Sequence, residues 1–194
     1  MKTMFKSTVL LASTFVMIGL TGCQSMKPQL NPAVAQAPEA MDEFNLQGKI
    51  GVKTPKQSGS AFFTWQQHQQ QFDIELSGIL GVGKTQISGQ PGLVTLTSAK
   101  TGTITAASPE ELLFQATGWV TPITHLVQWI QAKPATSTAV LEKDDLNRIT
   151  QIEEDGWNIQ LSYNQQNLLP NRLILKQQLE AGAENRITIV IQNR

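Results

Sequence analysis

The sequence predicts a mainly β protein, an antiparallel meander of about ten or eleven strands bent into a strongly curved sheet or an incomplete barrel around a short helical insertion. Two observations carry this. Short runs of alternating apolar and polar residues recur from Phe44 to Ile191, separated by Gly, Pro and Asn turn residues. One stretch, 108–130, interrupts the alternation with helix signals.

Taken in order, Phe44, Leu46, Ile50 and Val52 share one face of a first strand, with Gly48 in the same-face position between them. Residues 60–66, SAFFTWQ, form an aromatic-rich second strand, and Phe72, Ile74 and Leu76 alternate with Asp73 and Glu75 in a third. Beyond a glycine-rich loop come runs at 85–88, at 93–97 after the turn Gln90-Pro91-Gly92, and at 101–106. Ser108-Pro109-Glu110-Glu111 is a capping box with proline at the first helical position, so a helix starts there and runs towards Thr117. Thr121-Pro122 opens a second, with Ile123, Leu126, Val127 and Ile130 at i, i+3, i+4 and i+7. These two short helices read as a lid on the concave side of the sheet. Strands resume at 147–154 and 157–163 around Asp155-Gly156, a two-residue hairpin signal. Leu173 and Leu175 mark a further strand, and Ile187, Ile189 and Ile191 the last.

Ahead of this body the chain has a different character. Lys2 and Lys6 precede an uncharged apolar run at 7–20, too short and wrongly flanked for a stable span, which is the layout of a secretory signal. The run ends in Leu20-Thr21-Gly22-Cys23, which resembles the bacterial lipobox; Cys23 is the sole cysteine, so no intramolecular disulfide forms. Residues 1–22 are therefore expected to be a lipoprotein signal peptide. Residues 23–42, with Pro28, Pro32 and Pro38 and no strand or helix period, are expected to be the lipidated N-terminus and a flexible tether, and residues 43–194 one folded domain. Gln24 after the cysteine, where Asp would suggest retention in the inner membrane, points to the outer membrane.

Charge excludes whole classes of partner. The fifteen basic residues fall to thirteen when Lys2 and Lys6 leave with the signal, against fifteen acidic ones, a net of −2. No basic surplus is left to hold nucleic acid by its phosphates, or an anionic membrane by charge alone. Anchoring falls to the acyl chains on Cys23, at roughly 0.8 kcal/mol per buried CH₂.

One motif argues for different chemistry. Residues 78–85, GILGVGKT, satisfy the P-loop pattern G-x-x-x-x-G-K-[ST]. A P-loop needs a helix directly after it, whose N-terminus cradles phosphate. Here Thr85-Gln86-Ile87-Ser88 reads as strand, and Gly89, Pro91 and Gly92 forbid a useful helix, so nucleotide binding is not expected. His68 and His125 lack ligand-spaced partners. The acidic clusters Glu142-Lys143-Asp144-Asp145 and Glu153-Glu154-Asp155 read as solvated turns rather than metal sites. No nucleophile has a base and an orienting group beside it, so neither an enzyme, a metal site nor a cofactor is expected.

The order of segments carries more. The lipobox and proline-containing tether are followed by FNLQGKIGV (44–52), SAFFTWQQ (60–67), LSGILGV (76–82), GQPGLVTL (89–96), TGWVTPITHLVQWI (117–130) and WNIQLSY (157–163). Over essentially the whole length beyond the signal, this succession resembles the LolB-like family of outer-membrane lipoprotein receptors. The resemblance implies a half-open antiparallel β-barrel of about eleven strands with a short helical lid over an apolar cavity. It implies a monomer, lipid-anchored in the outer membrane and facing the periplasm. Such a protein takes acylated lipoproteins from the periplasmic carrier LolA and inserts them into the inner leaflet of the outer membrane, with no nucleotide or nucleic acid involved. The loop between the third and fourth strands is implied to enter the membrane through Leu80, with Ile79 and Val82 beside it. Phe63, Trp65, Phe72, Ile74, Leu76, Trp119, Leu126, Trp129 and Ile130 are the residues expected to line the acyl-chain cavity. A lipid-anchored periplasmic module for another apolar ligand, a lipid or glycolipid, is the competing reading.

Overall fold

The computed structural model describes residues 43–78 and 83–194. The expected signal and tether, with Cys23, and Ile79, Leu80 and Val82 lie outside the described residues.

Among the described residues eleven antiparallel strands form one unclosed sheet. They are β1 (Glu43–Lys53), β2 (Ser58–His68), β3 (Gln71–Ser77), β4 (Lys84–Gln90), β5 (Leu93–Ser98), β6 (Gly102–Ala106), β7 (Val140–Lys143), β8 (Ile149–Glu154), β9 (Trp157–Ser162), β10 (Arg172–Gln178) and β11 (Glu184–Asn193). The order β6-β5-β4-β3-β2-β1-β11-β10-β9-β8-β7 is two meanders joined where β1 pairs with β11. Its edge strands, β6 and β7, are also the strands that flank the helical insertion in sequence. The insertion therefore has to run from one edge of the sheet to the other.

Alternation sets the inner face. In β2 each second residue from Ala61 to Gln67 is buried while Phe62, Thr64 and Gln66 are exposed. Two inward glycines make room for rings on the neighbouring strand. Gly48 faces Phe63, and a Cβ on it would lie 2.0 Å from the Val190 carbonyl oxygen; Gly89 faces Phe72, whose ring a Cβ would meet at 2.4 Å. Asp155 and Gly156, with φ of 50° and 76°, close the β8–β9 hairpin as a two-residue turn with both φ positive.

The first helix, α1 (Pro109–Thr117), starts where its capping box indicates. Ser108 Oγ accepts from the Glu111 N–H at 3.1 Å, and Glu111 reaches back to accept from the Ala107 N–H at 2.9 Å. The second helix is shorter than its apolar stripe suggests. Ile123–His125 is a 3₁₀ turn, and only Leu126–Trp129, α2, is α-helical. Pro122 supplies no N–H, and Ala132, at φ 56°, ends the segment just before Lys133-Pro134. The tighter 3₁₀ turn shifts the phase of α2, so Leu126 and Ile130 are buried, Ile123 and Val127 are half-buried, and Trp129 is carried fully inside. Strand β7 had no alternation to announce it: all four of its residues are exposed.

Two apolar cores result. The larger joins Trp129 and Ile130 to Ile152, Trp157, Ile159, Leu173 and Leu175 of β8–β10 and to Ile187 and Ile189 of β11. The smaller seats Leu112 of α1 on Val94 and Ala106.

Candidate functional site

Between the two cores the inner face of β1–β5 and the helical insertion line a cavity of about 1500 Å³. Strands β7–β10 contribute no described residue to its wall, and β11 contributes only Ile187 and Ile189. The β8–β10 half of the sheet is filled by the larger core, while the cavity lies against β1–β5 with wall residues from both α1 and α2.

Phe63 and Trp65 on β2, Phe72, Ile74 and Leu76 on β3, and Trp119, Leu126 and Ile130 from the insertion all line this space. Trp129 does not. It is 0 % exposed inside the larger core, with His125 and Trp157 ring centroids 5.6 and 6.5 Å away, because the shifted helical phase turns it from the cavity towards β8 and β9. Ile87, Leu96 and Leu112 also line the cavity. The first two were signalled by alternation in their strands, and Leu112 by its place in the capped helix.

Polar side chains also line the cavity, and beside Trp65 they are paired with one another. The Trp65 Nε1–H donates to Gln67 Oε1 at 3.0 Å, and Gln67 Nε2 donates to the Gln69 carbonyl at 2.7 Å, so buried Gln67 is satisfied along its own strand. Phe44 packs edge-on against the Trp65 ring at 5.2 Å.

The lid is held by a carboxylate that sequence reading placed in a solvated turn. Glu154 is 6 % exposed, and it accepts from Trp129 Nε1, from the Ala135 N–H at 2.9 Å, and from both the N–H and the Oγ1 of Thr136 at 2.7 Å. Burial pushes its pKa up, but the hydrogen bonds from Ala135, Trp129 and Thr136 together outweigh that and hold the carboxyl below its ordinary range. The chain just beyond α2 is thereby tied to the β8–β9 hairpin. Arg194 adds a second tie, donating to the Ile130 carbonyl at 2.8 Å and the Pro170 carbonyl at 2.7 Å.

Several buried polar atoms around the approach to α2 are unpaired. Trp119 Nε1, Thr121 Oγ1, His125 Nδ1 and Trp157 Nε1 are buried without a hydrogen-bond partner, and His125 Nδ1 comes within 3.5 Å of Asp155 Oδ2 without hydrogen-bond geometry. Each unpaired polar atom costs stability. Three of these atoms belong to residues 119–125, a segment tied to α1 where the Thr124 N–H and hydroxyl donate to Glu110 Oε1 at 2.8 and 2.7 Å, whereas residues 135–136 are clamped by Glu154.

The other acidic cluster shapes a turn. Asp144 Oδ1 accepts from the N–H groups of Leu146 and Arg148, and its Oδ2 pairs with the Arg148 guanidinium at 2.7 Å. The Arg148 hydrogen bond leads in holding Asp144 below the usual carboxylate range. Arg148 also stacks 4.5 Å over the Tyr163 ring, whose hydroxyl donates to the Ile149 carbonyl at 2.6 Å. Burial raises the Tyr163 phenol to about 12.

The P-loop-like residues run from strand to strand. Lys84 and Thr85 open β4 rather than a helix, and Lys84 Nζ lies 2.6 Å from Glu75 Oε2 on the neighbouring strand. A phosphate cradle needs the N–H groups of a helix start, whereas Lys84 and Thr85 lie in the β3–β4 ladder opposite Ser77 and Leu76. Among the described residues no three His, Cys, Asp or Glu side chains gather as a metal site, and no helix is long and apolar enough to cross a membrane.

Comparison with known proteins assigns this architecture. Residues 42–193 match the family model described as outer membrane lipoprotein LolB. An outer-membrane lipoprotein LolB of Pseudomonas putida strain W619 is 38 % identical over 170 residues, covering 86 % of this chain and 80 % of the relative. That of Pseudomonas putida strain F1 is 36 % identical over 195 residues, covering 93 % of each chain. That of Stutzerimonas stutzeri strain A1501 is 39 % identical over 157 residues, covering 79 % of this chain and 74 % of the relative. The chain therefore belongs to the LolB family of outer-membrane lipoproteins.

Proposed function

We propose that this protein, anchored in the outer membrane through acyl chains on Cys23, receives lipoproteins from the soluble periplasmic carrier LolA and delivers them into the inner leaflet. The cavity carries the reading. At about 1500 Å³ it exceeds the roughly 300–1,000 Å³ typical of small-molecule sites, and aromatic and branched aliphatic side chains dominate its inner wall. An acyl chain exposed to water costs roughly 0.8 kcal/mol per CH₂, so a hand-off between membranes needs such a shelter at each stage. No energy source is required if this cavity holds the chains more tightly than the carrier does. Residues 79–82 join β3 to β4 and supply the tip that enters the bilayer, led by Leu80 with Ile79 and Val82 beside it.

The test is transfer of a labelled lipoprotein from the carrier through the protein into liposomes, with wild type and Leu80→Glu. Wild type completes both steps, and Leu80→Glu still accepts lipoprotein but fails to insert it. A wild-type protein that takes nothing from the carrier refutes the receptor role. A variant that inserts normally refutes the role of Leu80.

A further inference from the structure

Cross-strand register builds a block of positive charge on the outer face of the sheet. On β1, β11 and β10 the aligned residues run Lys53, Arg186, Lys176 in one row, Gly51, Thr188, Ile174 in the next, and Lys49, Val190, Arg172 in the third. Residues in register share a face, and this is the outer one, because the alternate residues Ile187, Ile189, Leu173 and Leu175 are buried. Five of these nine positions are cationic and none is acidic, over an area roughly 10 Å by 14 Å. Among the described residues none of the five cations forms an ion pair. The nearest acid along these strands, Glu184, lies one same-face position beyond Arg186. Like charges set directly opposite one another weaken a ladder, so the block lacks the counter-charge that would make it neutral or favourable within the fold.

The third row continues towards the loop. Lys49 faces Phe62 on β2, and Phe62 faces Ser77, the last residue of β3, next to Gly78 at the root of residues 79–82. Phe62 is 58 % exposed, and Lys49 Nζ sits 5.8 Å over its ring. An exposed ring beside cationic side chains matches a bilayer interface, where the ring sits at headgroup level and ammonium or guanidinium groups meet phosphates.

We propose that the outer face of β1, β10 and β11, together with Phe62, is a docking surface for anionic phospholipid headgroups, which holds the protein against the bilayer beside its loop. This rests on the reading that residues 79–82 meet the membrane. An acidic protein surface would answer the cations alone; Phe62, in line with the loop root, favours lipid.

The test uses the full lipidated chain carrying Thr64→Cys, an exposed position on the same face, labelled with an environment-sensitive dye and reconstituted in phosphatidylcholine vesicles with or without phosphatidylglycerol. Blue-shifted emission is expected only with phosphatidylglycerol and is reversed by high salt. Replacing Lys53, Lys176 and Arg186 with glutamine lowers the ratio of docked to undocked protein on the order of 100-fold. A shift that ignores phosphatidylglycerol, or that survives the triple replacement, overturns the proposal. So does a shift that appears only when the carrier is added to neutral vesicles, which assigns the block to a protein partner. Lipoprotein transfer is read in the same vesicles: transfer without a phosphatidylglycerol response refutes the docking surface alone, and absence of transfer refutes the receptor reading whatever the dye reports.

Discussion

Replacing Glu154 with Gln isolates the clamp on the lid. The carboxylate accepts four hydrogen bonds, two on each oxygen: Trp129 Nε1 and the Ala135 N–H on one, the Thr136 N–H and hydroxyl on the other. Glutamine keeps one acceptor oxygen and turns an NH₂ towards the other pair of donors. A threonine hydroxyl can rotate to accept, but a backbone N–H cannot, so at least one buried donor loses its partner at about 1–3 kcal/mol. The remaining bonds lose their charge assistance, while the neutral amide recovers some of the carboxylate's desolvation cost, which sets the net loss at about 2–4 kcal/mol. Urea denaturation of wild type and variant near neutral pH reads this directly, as a lower midpoint at unchanged m. The same experiment at acid pH supplies a check. Because the folded pKa is depressed, the contribution is full above the unfolded value, ordinarily 4.5, and is lost as pH falls through the lowered folded value. The gap between wild type and variant therefore closes in acid. A gap below about 1 kcal/mol, or one that acid leaves unchanged, would refute the account of Glu154 as a charged clamp.

Gly48→Ala places a methyl 2.0 Å from the Val190 carbonyl oxygen and parts β1 from β11, whereas the nearest neighbour of a Gly89→Ala methyl is the Phe72 ring, which can swing into the cavity. Chemical denaturation is expected to show a loss of about 3 kcal/mol or more for the first and about 1–2 for the second; the opposite ranking contradicts the packing. Tyr163 is the sole tyrosine, so ultraviolet titration of phenolate follows it alone, with a midpoint near 12 in the folded protein and near 10 once unfolded. Its contribution to stability is present below the unfolded value and is lost as pH rises through the folded one; a folded midpoint near 10 would show the hydroxyl to be open to water. Leu112→Ala removes the anchor of α1 on Val94 and Ala106 and should cost about 2–5 kcal/mol in the same denaturation assay; a loss below about 1 kcal/mol would show that Leu112 does not anchor the helix.

The strands were legible because burial of one face imposes a period of two, and ten of eleven followed it. Strand β7 was not, since all its residues face water and burial leaves no mark on them. The first helix was legible to its cap because Ser108 and Glu111 act within one turn. The direction of Trp129 was not, because a 3₁₀ turn upstream shifts the phase on which a helical stripe depends. Glu154 is acidic, next to a hairpin turn and flanked by acids, yet it is buried by donors eighteen and nineteen residues earlier. Tertiary placement of that kind leaves no local pattern. Charge was misleading in the same way: a net of −2 conceals five cations that only the pairing of β1, β11 and β10 brings together.

Because the helical insertion links the two unpaired edges of the sheet, it behaves like a drawstring across the opening of a bag. Anything that spreads β6 from β7 lengthens the path that residues 107–139 must cover, along a segment tied at Thr124 to Glu110 and at residues 135–136 to Glu154. The distance between the two edges and the reach of the insertion are thus one quantity, and neither can change without the other.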